Sequence, residues 1–421
     1  MSRRVKILLI SFASAALLGI LLYQIPSIRS RILWRYEVWA TRLKNTVDPV
    51  VIPTPVPSTP FATFTPHPPT PTLLATEPPT PTLIPLPPQV MLTSPTYEKQ
   101  DYNNCGPATL AMTLRMYNSW NGDQYDVADI VKPMKEDRNV NPEELRYYIL
   151  NEAGWLKVEY RVAGTLDLLK RLLAANYPVL VEEASTVEPE WANGPNDDLW
   201  DAHYILINGY DDQEGVFIAQ DPQLGKEKGA DKKIPYEALE KDWKPFNYLY
   251  MVIYFPQDEA EVQSIIGMDW DADLNRQNAM DLANAQIAAD PQDAFAWFNL
   301  GASLTYFERH QEAAQTFDQA FTIGLPQRMT RYQFWPFVAY FNADRIDYLL
   351  EITEKTYKPI NGYYAEEALL WHGYGLFRKG DFNGALADWN KALKVHPNYC
   401  DAERAINDYI QPTYDLTSCS P

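Results

Sequence analysis

From Ile7 to Ile28 the chain carries no charged residue, a run long enough to cross a hydrocarbon core of about 30 Å as a helix. The pattern predicts a membrane anchor within residues 1–27. A cleaved signal peptide is the rival, because Ala13, Ser14 and Ala15 resemble a small-residue cleavage site, but the apolar run continues past them to Leu22. Residues 28–48 mix basic side chains with Trp34, Tyr36 and Trp39, a juxtamembrane pattern suited to a membrane surface. Residues 49–88 then hold fifteen of the 34 prolines and no Lys or Arg. Proline fixes φ and removes a donor, so this stretch is expected to be a disordered, extended linker reaching at most about 120 Å. Thr/Pro stalks of this kind hold domains off the outer face of a membrane, which makes the soluble parts extracytoplasmic; a plain cytoplasmic spacer is the other reading.

From 89 to 257 the texture changes. Amphipathic helical pieces are expected at 105–117, 124–134 and 141–154, the last opened by Asn141 and Glu144 at capping-box spacing. Alternating or continuous apolar runs follow in LKVEYRVA, YPVLVEEA, HYILINGY, GVFIAQD and YLYMVIYF, which read as strands. Helices first and an antiparallel sheet later is an α+β order. From 258 to 421 strand signals vanish and helical periodicity takes over.

That last region contains an internal repeat. Gly301, Ala313, Phe317 and Ala320 are matched in phase by Gly373, Ala385, Trp389 and Ala392, with Pro326 and Pro397 closing each unit one residue out of register. The separation is about two 34-residue units plus an insertion, so a degenerate copy is expected at roughly 327–361. Small residues at fixed phase let paired helices approach, and the aromatic is expected to fill the gap against the neighbouring unit. This pattern resembles the tetratricopeptide repeat, which implies an all-α helical array capped by helices at 272–290 and 398–411. Concave repeat surfaces bind peptides or proteins, so a protein partner on the repeats is one reading; a stabilising or spacing role is the other.

The formal charge is −19, although residues 1–44 carry eight Lys/Arg against one acid. So acidic a body excludes nucleic acid as partner. The histidines His67, His310, His372 and His396 are scattered along the sequence and form no metal-ligand motif, so no metal and no organic cofactor is expected.

Chemistry is concentrated around Cys105, one of three cysteines. Asn103 and Asn104 precede it and Gly106-Pro107 follow, placing the thiol where a helix begins: Asn can cap and Pro is tolerated in the first turn. The free N–H groups and helix dipole there favour a thiolate. The 89–257 region holds one histidine, His203, and Asp221 stands just past a later strand. Nucleophile, base and orienting carboxylate on separate elements are the parts of cysteine hydrolysis. Gln100 is placed to offer its amide to an oxyanion beside the Cys105 N–H. Read singly, each residue is equally well a core thiol, a strand histidine and a turn-forming Asp. Cys400 and Cys419 lie close enough in sequence to pair in an oxidising compartment, leaving Cys105 as the free thiol. The loop EPEWANGPNDDLWDAH before His203 reads either as a solvated loop or as an acidic cleft wall favouring basic or neutral peptides.

Taken together, QDYNNCGPATLAM, AHYILINGYD and IAQDP resemble the bacteriocin-processing (double-glycine) peptidase family and its C39-like relatives. The resemblance implies a papain-like fold over 89–257, with Cys105 as nucleophile, His203 as general base and acid, Asp221 as orienting residue and Gln100 as oxyanion donor. Transporter-linked members carry an acid where Asn104 stands and a Gln one residue further from the Cys. The chain is thus expected to be multidomain: a membrane-anchored α+β papain-like cysteine peptidase acting on peptide or protein substrates, followed by a tetratricopeptide-like all-α domain. A thiol acyltransferase or amidase on the same fold, or a non-catalytic peptide-binding adaptor, are the alternatives.

Overall fold

The computed structural model describes residues 3–47, 55, 85–117, 120–135, 137, 139–186, 200–358, 364–397 and 399–408. Nearly all of the Pro/Thr linker, the loop 187–199 and Cys419 lie outside the described residues. The apolar N-terminal run forms helix α1 (Arg3–Tyr23), followed by α2 (Pro26–Val47). Residues Arg4–Tyr23 are long and apolar enough to cross a membrane, and none of that segment is buried in the protein. A signal sequence would pass the same test of length and composition.

One antiparallel sheet organises the middle of the chain. Its strands are β1 (Gln89–Met91), β2 (Lys157–Arg161), β3 (Val179–Thr186), β4 (Trp200–Asp211), β5 (Val216–Gln220), β6 (Lys232–Pro235) and β7 (Tyr250–Tyr254), in the order β2-β7-β3-β4-β5-β6 with β1 also paired to β4. All five expected strand segments are present; β1 and β6 are additional short strands. Both faces are covered, so the central strands read as continuous apolar runs rather than alternating ones. On one face Val179, Val181, Ile205 and Ile207 pack with Leu169, Leu172 and Leu173 of α6 (Leu166–Ala174) and with Trp243, the last residue of α8 (Tyr236–Trp243). On the other face Leu180, Tyr204, Leu206, Met251 and Ile253 pack against α3 (Cys105–Arg115), α4 (Gln124–Val131) and α5 (Pro142–Asn151). The capping box of α5 is present: Asn141 N–H donates to Glu144 at 2.7 Å. The four-residue α7 (Lys226–Gly229) links β5 to β6.

After α9 (Glu259–Ile266) the chain is helical: α10 (Ala272–Ala289), α11 (Ala294–Tyr306), α12 (His310–Ile323), α13 (Trp335–Asn342), α14 (Ile346–Tyr357), α15 (Glu366–Arg378), α16 (Phe382–Val395) and α17 (Cys400–Asp408). Helices α11/α12, α13/α14 and α15/α16 are successive hairpins, the middle one occupying the stretch where a degenerate copy was expected. The repeated glycines have a visible cause. A Cβ on Gly301 would lie 2.7 Å from the Phe317 ring, and one on Gly373 would collide with Trp389. The aromatic therefore fills the space inside its own hairpin, and Phe317 also meets Tyr340 of the neighbouring hairpin, with ring centroids 6.4 Å apart.

The apolar core of the helical part reaches into the sheet-bearing part through Val162, Trp200, Phe246 and Leu249. Trp200 stacks on Phe246 with ring centroids 5.7 Å apart and also meets Tyr332. Asn275 of α10 exchanges hydrogen bonds with the Val162 backbone at 3.0 and 2.8 Å. Asn141 donates to Glu367 at 2.8 Å.

Candidate active site

Cys105 is the first residue of α3 and is half-buried. The helix behind it is buried from Gly106 to Leu114, and Thr109 donates to the Tyr204 carbonyl at 2.9 Å, tying α3 to β4. Asn104 occupies the N-cap position, yet its side chain makes no capping bond. It donates instead to Gln124 at 3.2 Å, a correction to the capping role expected from sequence. Gln124, buried in α4, is the anchor of the whole approach loop. It accepts from Asp101 N–H at 2.6 Å and donates to Lys99 O and Glu98 at 2.9 Å each. Asn103 supports the turn with φ +56°, a left-handed conformation that Asn tolerates better than most residues.

His203 and Asp221 converge on this point from neighbouring strands. The His203 Nε2 lies 2.8 Å from Asp221 Oδ1, and both residues are buried. Cys105 lies near enough to act on the same ring. Burial opposes charging the ring, but the Asp221 carboxylate and then Cys105 outweigh it and hold His203 well above the ordinary imidazole range. For Asp221 burial works upward, yet His203 and Lys232 bring the carboxyl well below the usual carboxylate range. Both oxygens of Asp221 are used: Oδ1 also accepts from Gln223 N–H at 3.0 Å and Oδ2 from Lys232 Nζ at 2.9 Å. A buried carboxylate is stable in this form because its desolvation is offset by several donors. Tyr97 donates to the Asp221 carbonyl at 2.6 Å and fixes the backbone beneath it.

Gln100 is brought to the same place. Its backbone N–H donates to Pro222 O at 2.8 Å, next to Asp221, and its Oε1 is buried without a hydrogen-bond partner among the described residues. His203 and Asp221 are thus paired beside Cys105, while Gln100 is tied by its backbone to Pro222, the residue after Asp221. Sequence reasoning missed Lys232, Gln124 and the buried pair Glu182 and Glu183 on β3. The only signal for the pair was two acids ending an otherwise apolar run. Burial, then Cys105, pushes Glu182 well above the ordinary Glu range, and burial lifts Glu183 to about 7.

Glu182 also lines a cavity of about 110 Å³ between the sheet and helices α11, α13 and α15, with Glu143, Tyr160, Arg276, Trp335 and Trp371 on its walls. Of the acidic loop before His203, Asp201 lies among the described residues. It is held by Arg328 at 3.4 Å and by the Tyr332 hydroxyl, so it braces the helical part rather than facing a substrate.

Buried thiol, imidazole and carboxylate in this order define the working parts of a cysteine hydrolase. Residues 87–251 match the model of the Peptidase_C39 like family. Among solved structures, the chain is similar to a protein described as a C39-like peptidase from Bacillus anthracis, at 16% identity over 39% of this chain and 96% of that one, with a TM-score of 0.30. It is also similar to xylellain, a cysteine protease from Xylella fastidiosa, at 17% identity over 41% of this chain and 87% of that one, with a TM-score of 0.28. No curated protein matches the chain.

Proposed function

We propose that this chain is a membrane-anchored thiol peptidase whose nucleophile is Cys105. The observation that carries the reading is the buried His203–Asp221 pair at 2.8 Å, with the half-buried Cys105 thiol at a helix start acting on the same ring. His203 takes the thiol proton while Cys105 Sγ attacks the scissile carbonyl. The tetrahedral oxyanion is received by the Cys105 N–H and the Gln100 amide. His203 then delivers its proton to the leaving amine, giving a thioester on Cys105. Water, deprotonated by His203, hydrolyses the thioester and returns the thiol. Asp221 keeps the ring oriented and balances the imidazolium, as the third member of such triads does.

The substrate is a peptide or protein segment. The aromatic walls of the cavity at Glu182 suit an apolar side chain. The C-terminal hairpins, read as tetratricopeptide-like, pack against the sheet and supply one wall of this cavity. Anchoring by α1 would hold the enzyme at a membrane, and the contact between Arg29 of α2 and Asp101 at 3.5 Å keeps the Cys105 loop beside the juxtamembrane helix. A double-glycine cleavage site belongs to this reading as the family expectation.

Mass mapping after a mild peptidyl electrophile tests the assignment on the full chain in detergent. Label on Cys105, lost on His203→Ala, supports it; equal labelling of the two proteins, or none of the wild type, leaves the adaptor reading. Acyl transfer to an added amine in place of hydrolysis would move the assignment to an acyltransferase.

A further inference from the structure

A second buried histidine, His396, lies outside the Cys105 group, at the seam between sheet and helices. His396 follows α16; its Nδ1 is 2.9 Å from Glu366 Oε1 of α15. Two carboxylates from the sheet-bearing part point at the same nitrogen: Asp137 Oδ2, from the segment between α4 and α5, and Glu144 Oε1 of α5, each at 3.9 Å. Asp137, Glu366 and His396 are all buried, at 1%, 1% and 2% exposure, and each offers a ligand atom within 4.8 Å of the others. Glu367 adds a further buried carboxylate beside them.

The group is not closed as the active-site pair is. Asp137 Oδ2, Glu366 Oε2 and His396 Nε2 are buried with no hydrogen-bond partner among the described residues. Lys132 is near, but its ammonium donates to the carbonyls of Asn103 at 2.8 Å and Asp137 at 2.7 Å. Unpaired carboxylate oxygens out of water cost several kcal/mol each by the scale for buried ions. Two conditions relieve that cost: a shared proton, which lets Asp137 hydrogen-bond Glu366, or a cation.

We propose that Asp137, Glu366 and His396, with Glu144 behind them, form a divalent-cation site that bolts the sheet-bearing part to the helical hairpins. One imidazole among carboxylates is a donor set for a first-row ion such as Zn²⁺ or Mn²⁺ rather than for Ca²⁺ or Mg²⁺, which take oxygen ligands. Ligand atoms about 2.1 Å from such an ion in a tetrahedral shell stand about 3.4 Å apart, and the observed 2.9 and 3.9 Å separations straddle that spacing. The bolt reaches the active site through Lys132, whose ammonium joins the Asp137 and Asn103 carbonyls two residues before Cys105. The site is independent of whether Cys105 is a peptidase nucleophile.

The test is metal content and thermal unfolding of the detergent-solubilised full chain, stripped with chelator and titrated with Zn²⁺ and Mn²⁺. Wild type should take up one equivalent of either ion and gain several degrees in Tm. Asp137→Asn and Glu366→Gln keep shape and remove charge, so they should fold with unchanged or higher metal-free Tm, yet bind at least tenfold more weakly. His372→Gln, at a separate half-buried His–Asp pair, should bind like wild type. Uptake well below one equivalent by wild type overturns the proposal in favour of the shared proton, and equal uptake by Asp137→Asn overturns it in favour of a site elsewhere.

Discussion

Two buried histidines sit among carboxylates in this molecule, and they are built in opposite ways. At His203 a single carboxylate, Asp221, meets three donors: the imidazole, the Gln223 N–H and Lys232. At His396 several carboxylates meet one imidazole, and one oxygen each of Asp137 and Glu366 has no hydrogen-bond partner among the described residues. The first group is complete within the chain and holds an ion pair ready beside a thiol. The second has more negative charge than its own residues can balance. Burial cost is the same physics in both; donor count decides whether the group is a finished device or one that asks for a proton or a cation.

The comparison can be broken at its strongest point first. Asp221→Asn should leave the fold intact and lower kcat by about 10²-fold or more, with about 10⁴ as the scale known for a serine triad. Its stability should fall in a defined pH window. A carboxyl held below its ordinary value contributes stability that is present above the unfolded pKa of about 3.9 and lost as pH falls below it. The gap in unfolding free energy between wild type and Asp221→Asn should therefore be wide at pH 5–6 and close in acid; a gap that does not depend on pH would contradict the ion pair.

Glu183 sharpens the contrast because it lies beside His203 in the sheet register and yet carries a raised carboxyl, at about 7. Here the sign reverses. The folded state binds the proton more tightly, so stability declines as pH rises from the ordinary Glu value to about 7, by at most about 3 kcal/mol at roughly 1.4 kcal/mol per unit. The groups facing it are His203, Lys232, Asp221 and Asp242. Glu183→Gln should flatten that decline, as read by denaturant unfolding at pH 5 and 8.

The smallest effect is expected at Lys232, which is about one-third exposed and so partly screened. Lys232→Met should cost a few-fold in kcat, with KM little changed, and should raise the acid limb of the pH–rate profile by weakening the hold on Asp221. A hundredfold loss would make Lys232 as important as Asp221 and would upset the ranking of donors.

Much of this was legible in the sequence, for reasons that differ by element. The central strands announced themselves because burial on both faces forces continuous apolar runs, and the edge strand β2 through its alternation. β1 and β6 did not, since strands of three and four residues at a sheet margin need no apolar pattern; β6 even opens with Lys232 and Lys233. Gly301 with Phe317 and Gly373 with Trp389 exposed the hairpins because a missing Cβ and a ring must coincide. Cys105, His203 and Asp221 were readable as a set because Cys105 opens α3, His203 opens the apolar run of β4 and Asp221 follows β5, in a fixed order. Lys232, Gln124 and the Asp137, Glu366 and His396 group were not. Their partners come from distant segments, and a lone Lys, Gln or His carries no periodicity that marks what it will meet.

The central claim is that Cys105 cleaves peptide bonds with His203 and Asp221 as its partners. It is tested most directly by mapping new N-termini in a mixture of unfolded proteins incubated with the full-length wild type, Cys105→Ala and Asp221→Asn. New N-termini formed by wild type, absent with Cys105→Ala and about a hundredfold slower with Asp221→Asn, are the predicted result; the same termini with Cys105→Ala as with wild type, or none with wild type, would contradict it.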